Sequence, residues 1–167
     1  ITQHIGATEV PAAVLNDTCA AMMGGRNFKS PGLLFIDTPG HHSFTSLRSR
    51  GGQLADIAIL VVDIMEGLQP QTIESLEILR RTRTPFVVAG NKVDRLHGWS
   101  SERGRAFIAS FHDQRKDVQA LFEDRFWKLV GMFGEHGFNL ERYDRIKDFR
   151  TDVALVPMSA KEGEGLQ

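Results

Sequence analysis

The sequence contains very little cysteine, and this scarcity limits the chemistry that the chain can carry out. Cys19 is the single cysteine in 167 residues, so an intrachain disulfide is excluded. The six histidines form no H-E-x-x-H pattern, and no C-x-x-C pair is present, which disfavours a zinc site. The simplest interpretation of Cys19 is a small, buried thiol in a reducing compartment.

Long apolar runs and an excess of charge of one sign are also absent. No run reaches the ~18 residues that suggest a membrane span, and no basic start leads into an apolar signal core. We therefore expect a cytoplasmic protein that does not interact with membranes. The formal net charge is -1, so the overall field does not attract nucleic acid, and any contact with RNA has to depend on local patches.

Four apolar runs are present, and each one leads into a polar loop. A hydrophobic content of 41% and a charged content of 25% are ordinary for one globular domain. Open α/β sheets bind phosphates and metals at the carboxyl ends of their strands, so this pattern predicts a nucleotide site assembled from strand ends. The first run predicts an interior strand with both faces covered. The runs are residues 33–36, 57–63, 85–90 and 153–158.

The other segments divide into predicted helices and loops. Residues 69–83 form a helical pattern with three basic residues near its end, which complement the helix dipole. A second helix has an apolar stripe from Val118 to Phe133, and core packing explains the stripe better than a partner groove does. We expect residues 139–145 to be charged and exposed. The remaining expectations are a loop at 1–8, an edge strand within 9–18, a turn at 24–27 and an irregular helix through Phe44, Leu47 and Leu54.

Two of the polar loops have the chemistry of guanine recognition. By itself, Asn91-Lys92-Val93-Asp94 fits a solvated turn as well as a base site. At a strand end, however, the carboxylate of Asp94 can accept hydrogen bonds from the ring N–H and the exocyclic amine of guanine. Adenine lacks this donor pair. Because Ser159-Ala160-Lys161 follows the next long apolar run, with backbone N–H groups for the guanine carbonyl, guanine recognition is the favoured interpretation.

Together with Asp37-Thr38-Pro39-Gly40-His41, these loops resemble the three guanine-nucleotide motifs of a translational GTPase, and they occur in the family's order. The opening seven residues resemble the first switch of initiation factor two. The stretch 94–99 and the long insertion that ends near Arg145 resemble the archaeal and eukaryotic branch, initiation factor five B. The resemblance covers nearly all 167 residues.

The resemblance implies an α/β fold with three layers, similar to P-loop NTPases and Ras-like G domains. Its sheet is mostly parallel, and a helical insertion occupies about residues 100–147. No G-x-x-x-x-G-K-[ST] motif occurs in the sequence, and in the family this phosphate loop lies upstream of the first switch. We therefore expect residues 1–167 to be a partial G domain that lacks the phosphate loop and the final helix.

The resemblance also implies which residues contact the nucleotide and the metal. Thr2 and Asp37 correspond to the residues that hold Mg²⁺, although Asp37 before Thr-Pro is also a common turn initiator. Gly40 lets the backbone approach a phosphate closely. The implied nucleotide-binding residues are Asp37, Thr38, Pro39, Gly40, His41, Asn91, Lys92, Val93, Asp94, Ser159, Ala160 and Lys161.

His41 is the implied catalytic residue, because the family's histidine at this position orients the attacking water. The related factors usually have an acidic residue next, whereas this chain has His42. Ile1 corresponds to the apolar gate beside the catalytic histidine. His4 corresponds to a first-switch histidine and is equally well explained as a surface loop residue.

The implied function is GTP binding and hydrolysis within a translation initiation factor that promotes ribosomal subunit joining. The implied partners are GTP or GDP, Mg²⁺, the ribosome with its large-subunit rRNA, and initiator tRNA, and the factor is expected to be a monomer. An alternative function is a truncated segment without hydrolysis, which acts only as an interaction or structural module. A kinase or other α/β enzyme explains neither Asn-Lys-Val-Asp nor Ser-Ala-Lys.

Overall fold

The structure is a computed structural model, and it describes residues 6–37 and 55–166. The chain divides into two compact units, one comprising residues 1–54 with Gln167 and the other Ala55–Leu166. The predicted irregular helix through Phe44, Leu47 and Leu54 lies outside the described residues. So do the predicted positions in residues 1–5 and 38–41.

The described part of the first unit contains two strands and one helix. Strand β1 (Gly6–Pro11) pairs antiparallel with β2 (Gly32–Asp37), and helix α1 (Ala12–Met23) connects them. Gly32 lies where the strands approach closely, since a Cβ there would be 2.6 Å from the carbonyl oxygen of Val10. Helix α1 ends at Met23 and is capped by Gly24, which has a φ of 54° and is the first residue of the predicted turn at 24–27.

Two predictions for residues 1–18 have to be corrected. The edge strand predicted within residues 9–18 extends only to Pro11, because helix α1 begins at Ala12, directly after the proline. The predicted loop at 1–8 is also interrupted, since Gly6 already belongs to β1.

Strand β2 is also not the buried interior strand that its apolar run predicts. Within the described residues its only strand partner is β1, and Leu34 is 64% exposed. Leu33 and Phe35 are exposed as well. An apolar run indicates a strand, but it does not specify how many neighbouring strands or covering layers the strand has.

The second unit is built on a parallel sheet of four strands in the order β3-β4-β6-β5. The strands are β3 (Ala58–Asp63), β4 (Phe86–Asn91), β5 (Asn139–Arg142) and β6 (Asp152–Pro157). The predicted α/β class with a mostly parallel sheet is confirmed. Because the strands are parallel, their carboxyl ends and the loops that follow lie at one edge of the sheet.

Three α-helices accompany this sheet. They are α2 (Pro70–Thr82), α3 (Phe107–Asp113) and α4 (Lys116–Glu135), and the last two lie in the predicted helical insertion. The apolar stripe of α4 packs in the core, as predicted, and each of its five central members is at most 1% exposed. These members are Val118, Phe122, Phe126, Leu129 and Phe133.

The prediction that residues 139–145 are exposed holds for Asn139, Asp144 and Arg145 but is wrong for the centre of the segment, because it forms β5. Leu140 and Arg142 alternate along the strand, and both are buried. The guanidinium of Arg142 pairs with Glu123 at 3.1 Å and with Asp144 at 2.6 Å, and it lies 4.8 Å from the ring centre of Phe111. These partners explain how a charged residue can occupy the core side of a strand.

Candidate functional site

Two loops that leave neighbouring strands, β4 and β6, are joined by side-chain hydrogen bonds. Ser159 Oγ donates to Asp94 Oδ1 over 2.6 Å. The backbone N–H of Ala160 donates to Asn91 Oδ1 over 3.0 Å. Each bond connects residues more than sixty positions apart in the chain, so the sheet brings the two predicted motifs together.

The loop after β4 has a constrained backbone. Lys92 has a φ of 71°, an uncommon conformation for a residue with a side chain, and Asn91 Oδ1 accepts the Lys92 N–H at 2.8 Å. Val93 is fully buried, and its N–H donates to the carbonyl of Met158 over 3.2 Å. The buried Val93 anchors the loop, while Lys92 and Asp94 on either side remain accessible to a ligand.

The loop after β6 is anchored by Ser159, which is fully buried. Its Oγ donates to Asp94 and also accepts the N–H of Glu162 at 3.1 Å. A hydroxyl–carboxylate distance of 2.6 Å is in the range of strong, charge-assisted hydrogen bonds. Ser159 therefore orients the carboxylate of Asp94.

Ala160 and Lys161 form the exposed part of this second loop. The Lys161 side chain is 79% exposed, and its Nζ lies 2.8 Å from Glu162 Oε1. The hydrogen bond with Glu162 raises the pKa of Lys161. The lysine stem is accessible for contact with a flat ligand.

Asp63 at the end of β3 is part of the same loop cluster, although no sequence motif assigns it a role. Its Oδ2 lies 2.8 Å from Lys92 Nζ and 3.4 Å from an Arg95 nitrogen, while Oδ1 accepts the Met65 N–H at 2.9 Å. Burial raises the pKa of Asp63, but the hydrogen bonds from Lys92 and Met65 and the two nearby cations outweigh it, so the net pKa is lowered. Asp63 thereby fixes the direction of the Lys92 side chain.

The other predicted site residues lie in the first unit or outside the described residues. Asp37 is the last residue of β2 in the first unit, and it is exposed. The remaining predicted positions lie outside the described residues: Ile1, Thr2, His4, Thr38, Pro39, Gly40 and His41.

Residues 6–37 and 55–166 contain neither a membrane-spanning helix nor a metal-binding cluster. None of the helices in these ranges is both long and apolar enough to cross a bilayer. Within the same ranges, no three histidine, cysteine, aspartate or glutamate side chains are grouped so that they could hold a metal ion.

The second unit, a parallel sheet with these loops at one edge, has the architecture of the P-loop GTPase fold. The chain belongs to the family of the elongation factor Tu GTP-binding domain, because the model of that family matches residues 1–167.

Within this family the chain is similar to archaeal proteins described as probable translation initiation factor IF-2. It is 54% identical over 166 residues to the protein from Methanocella arvoryzae and 55% identical over 168 residues to that from Methanopyrus kandleri. It is also similar to the crystal structure of GDP-bound aIF5B from Aeropyrum pernix, with a TM-score of 0.87 and 49% identity. Each match covers 99% of this chain but only 28% of the relative, so the chain spans just over a quarter of these proteins' length.

Proposed function

We propose that this chain binds the base of GTP or GDP between residues 91–94 and 159–161. The observation that carries the proposal is the pair of hydrogen bonds that joins the loops, Ser159 to Asp94 and Ala160 to Asn91. They orient the Asp94 carboxylate as an acceptor for the ring N–H and the exocyclic amine of guanine. The resemblance to translational GTPases and the GDP bound to the similar aIF5B support this base assignment.

Each residue of the two loops has a specific proposed part. Asn91 braces both loops, and its side chain can contact the imidazole edge of the purine. Val93 is the buried anchor, and the stems of Lys92 and Lys161 cover the two faces of the base. The Ala160 N–H, which donates to Asn91 in the structure, can also be shared with the guanine carbonyl.

We further propose that Asp37, Thr38, Pro39, Gly40 and His41 contact the phosphate side of the nucleotide. Asp37 and Thr2 would hold Mg²⁺, and the exposed carboxylate at the end of β2 has the hard oxygen donors that this ion prefers. When bound, Mg²⁺ neutralises charge on the phosphates. His41 orients the attacking water for hydrolysis, and Ile1 is the apolar gate beside it.

At the level of the whole protein, we propose that residues 1–167 act inside a longer translation initiation factor. In that protein they form part of a G domain with a helical insertion at about 100–147, and the phosphate loop and final helix come from flanking residues. This factor would be a cytoplasmic, monomeric GTPase that promotes ribosomal subunit joining. It would contact large-subunit rRNA and initiator tRNA. The similarity to probable IF-2 proteins supports this role.

Base selectivity in the longer protein tests the proposal. Calorimetry with Mg²⁺ should give tight binding of GDP, weaker binding of IDP, which lacks the exocyclic amine, and binding of ADP weaker by about 10⁴-fold. IDP is the matched probe because it differs from GDP by a single hydrogen-bonding group. Equal affinities for GDP and ADP would contradict the base assignment.

The alternative function is an interaction or structural module without hydrolysis, and calorimetry on the 167-residue chain alone addresses it. Because the sequence has no phosphate-loop motif, we expect the isolated chain to bind GDP only weakly and to hydrolyse GTP negligibly. Micromolar GDP affinity of the isolated chain would contradict this expectation. Failure of the longer protein to hydrolyse GTP would favour the alternative.

A further inference from the structure

A carboxylate beyond the proposed base loops is buried with a single side-chain partner among the described residues. Glu164 is fully buried, and its Oε2 accepts a hydrogen bond from Trp99 Nε1 over 3.1 Å. Its Oε1 is buried without a hydrogen-bond partner in the same part of the chain. A buried carboxylate is costly unless it is paired, so the Trp99 N–H is an important contact for this side chain.

The backbone of Glu164 closes the loop that holds Ala160 and Lys161. Ser159 N–H donates to the Glu164 carbonyl over 2.9 Å, and Glu164 N–H donates back to the Ser159 carbonyl over 3.1 Å. The next residue, Gly165, has a φ of 70°, and a Cβ there would lie 2.5 Å from the carbonyl oxygen of Pro157. The position of Glu164 therefore determines the path of the loop at residues 159–164.

Trp99 connects this loop to the core of the helical insertion. Its ring stacks on Phe107 of α3, with ring centres 5.8 Å apart and planes 5° apart, and it lies 6.2 Å from the Phe122 ring of α4. Its backbone N–H donates to Leu96, just after the turn that contains Asp94. One tryptophan thus contacts the insertion core and, through its indole N–H, the loop after β6.

We propose that Trp99 and Glu164 are a positioning pair that sets the Ala160 N–H for recognition of the guanine carbonyl at C6. This inference depends on the proposed function, because the pair acts on the same base site. Ser159 already ties the loop to Asp94 from one side, and Glu164 ties it to the insertion core from the other. The helical insertion thereby contributes to base selectivity without contacting the base.

The variant Trp99→Phe in the longer protein tests this pair, because phenylalanine keeps an aromatic ring beside Phe107, while the N–H donor is lost together with part of the indole. The probes are GDP and the diphosphate of 2-aminopurine riboside, which keeps the exocyclic amine but lacks the C6 carbonyl and, because its N1 carries no hydrogen, the ring N–H. The analogue therefore binds more weakly than GDP to every variant, and the comparison is between each variant and the wild type for the same probe. We expect GDP to bind about tenfold more weakly, the effect of one lost hydrogen bond, while the affinity for the analogue changes by less than about twofold. The matched control is Trp127→Phe on α4, where the tryptophan is 57% exposed, and it should change neither affinity.

Variants of the carboxylate test the same pair from its other side. Glu164→Gln keeps an oxygen that can accept the Trp99 N–H, so its ratio of GDP to analogue affinity should match the wild type. Glu164→Leu removes the acceptor and should reproduce the reduced ratio of Trp99→Phe. Folding of each variant is checked by its thermal melting curve.

Two results would overturn the positioning role, and a third would overturn the base site itself. A folded Trp99→Phe variant with an unchanged affinity ratio would show that the pair does not set the Ala160 N–H. Equal weakening of GDP and analogue binding would also overturn the role, because it would indicate a purely structural effect. If the wild type does not prefer GDP to ADP, the proposed function fails, and this result is recognised before any variant is compared.

Discussion

At the scale of single residues, Asp94 carries the proposed discrimination between purines. In Asp94→Asn an NH₂ group replaces one carboxylate oxygen. This NH₂ group is a donor that would face a second donor, the exocyclic amine of guanine, but it can donate to the C2 carbonyl of xanthine. We expect the longer protein with this variant to lose GDP affinity by about 10³-fold or more and to gain affinity for XDP, measured by calorimetry. Asp124→Asn, at an exposed position on α4, is the control and should bind GDP normally. Unchanged GDP affinity in Asp94→Asn would contradict the assignment.

Asp63 makes a prediction about acid stability. Its pKa is lowered in the folded state, so its ionised form adds stability above the unfolded pKa, about 4, and this contribution is lost as pH falls through the lower folded pKa. Asp63→Asn should therefore have a lower free energy of unfolding than the wild type at about pH 7. This difference between the two proteins should become smaller as pH falls below about 4. Urea unfolding of the 167-residue chain at several pH values measures this difference. Asp56→Asn, at an exposed position, is the control, and a difference independent of pH would argue against the ion pair.

At the scale of secondary-structure elements, the attachment of β5 to α4 depends on Arg142. This side chain is 4% exposed and pairs with Glu123 and Asp144. Arg142→Ala removes the buried cation of Asp144 and its contact with the Phe111 ring, while Glu123 keeps its pair with Arg145 at 2.6 Å. We expect a loss of about 3 kcal/mol in the free energy of unfolding, measured with urea. The matched control is Lys128→Ala, which breaks an exposed ion pair with Asp124 on the same helix and should cost less than about 1 kcal/mol. Similar losses in the two variants would contradict a special role for the buried pair.

The same elements indicate how far local pattern determines the fold. Strands β3, β4 and β6 and the stripe of α4 follow from apolar runs and helical spacing, because burial imposes those patterns directly. Strand β5 could not be predicted from its local sequence, because a charged residue such as Arg142 can be buried only when partners from elsewhere in the chain neutralise it. Helix α1 could not be predicted either. In the structure Pro11 ends a strand and precedes a helix, but a proline at this position is equally compatible with an edge strand.

The candidate site divides in the same way between local and long-range information. Asn91, Asp94 and Ser159 are predictable because each lies in a short motif at a strand end. Asp63 belongs to no such motif, although it too ends an apolar strand, and that shared position is a usable signal. Glu164 has no local signal, since its partner Trp99 lies 65 residues away and only the folded chain brings them together.

At the scale of the whole molecule, His41 tests whether the chain works as part of a ribosome-dependent GTPase. The family's histidine at this position orients water only when the ribosome holds it, so its proposed role concerns turnover on the ribosome and does not affect nucleotide affinity. In the longer protein, His41→Ala should lower ribosome-stimulated GTP hydrolysis by about 100-fold or more, with GDP affinity unchanged.

The neighbouring His42 provides a matched control for this experiment. His42→Ala removes an imidazole one position along the chain, so it should leave ribosome-stimulated turnover within about threefold of the wild type if the register Asp-Thr-Pro-Gly-His selects His41. Multiple-turnover assays with and without ribosomes measure both variants, and parallel GDP titrations detect any loss of the base site. If His41→Ala kept full stimulated turnover, or if His42→Ala lost it instead, the catalytic assignment would be wrong while the base site remained intact. Both the histidine assignment and the base assignment can therefore fail independently, because turnover on the ribosome and GDP affinity depend on different residues of the chain.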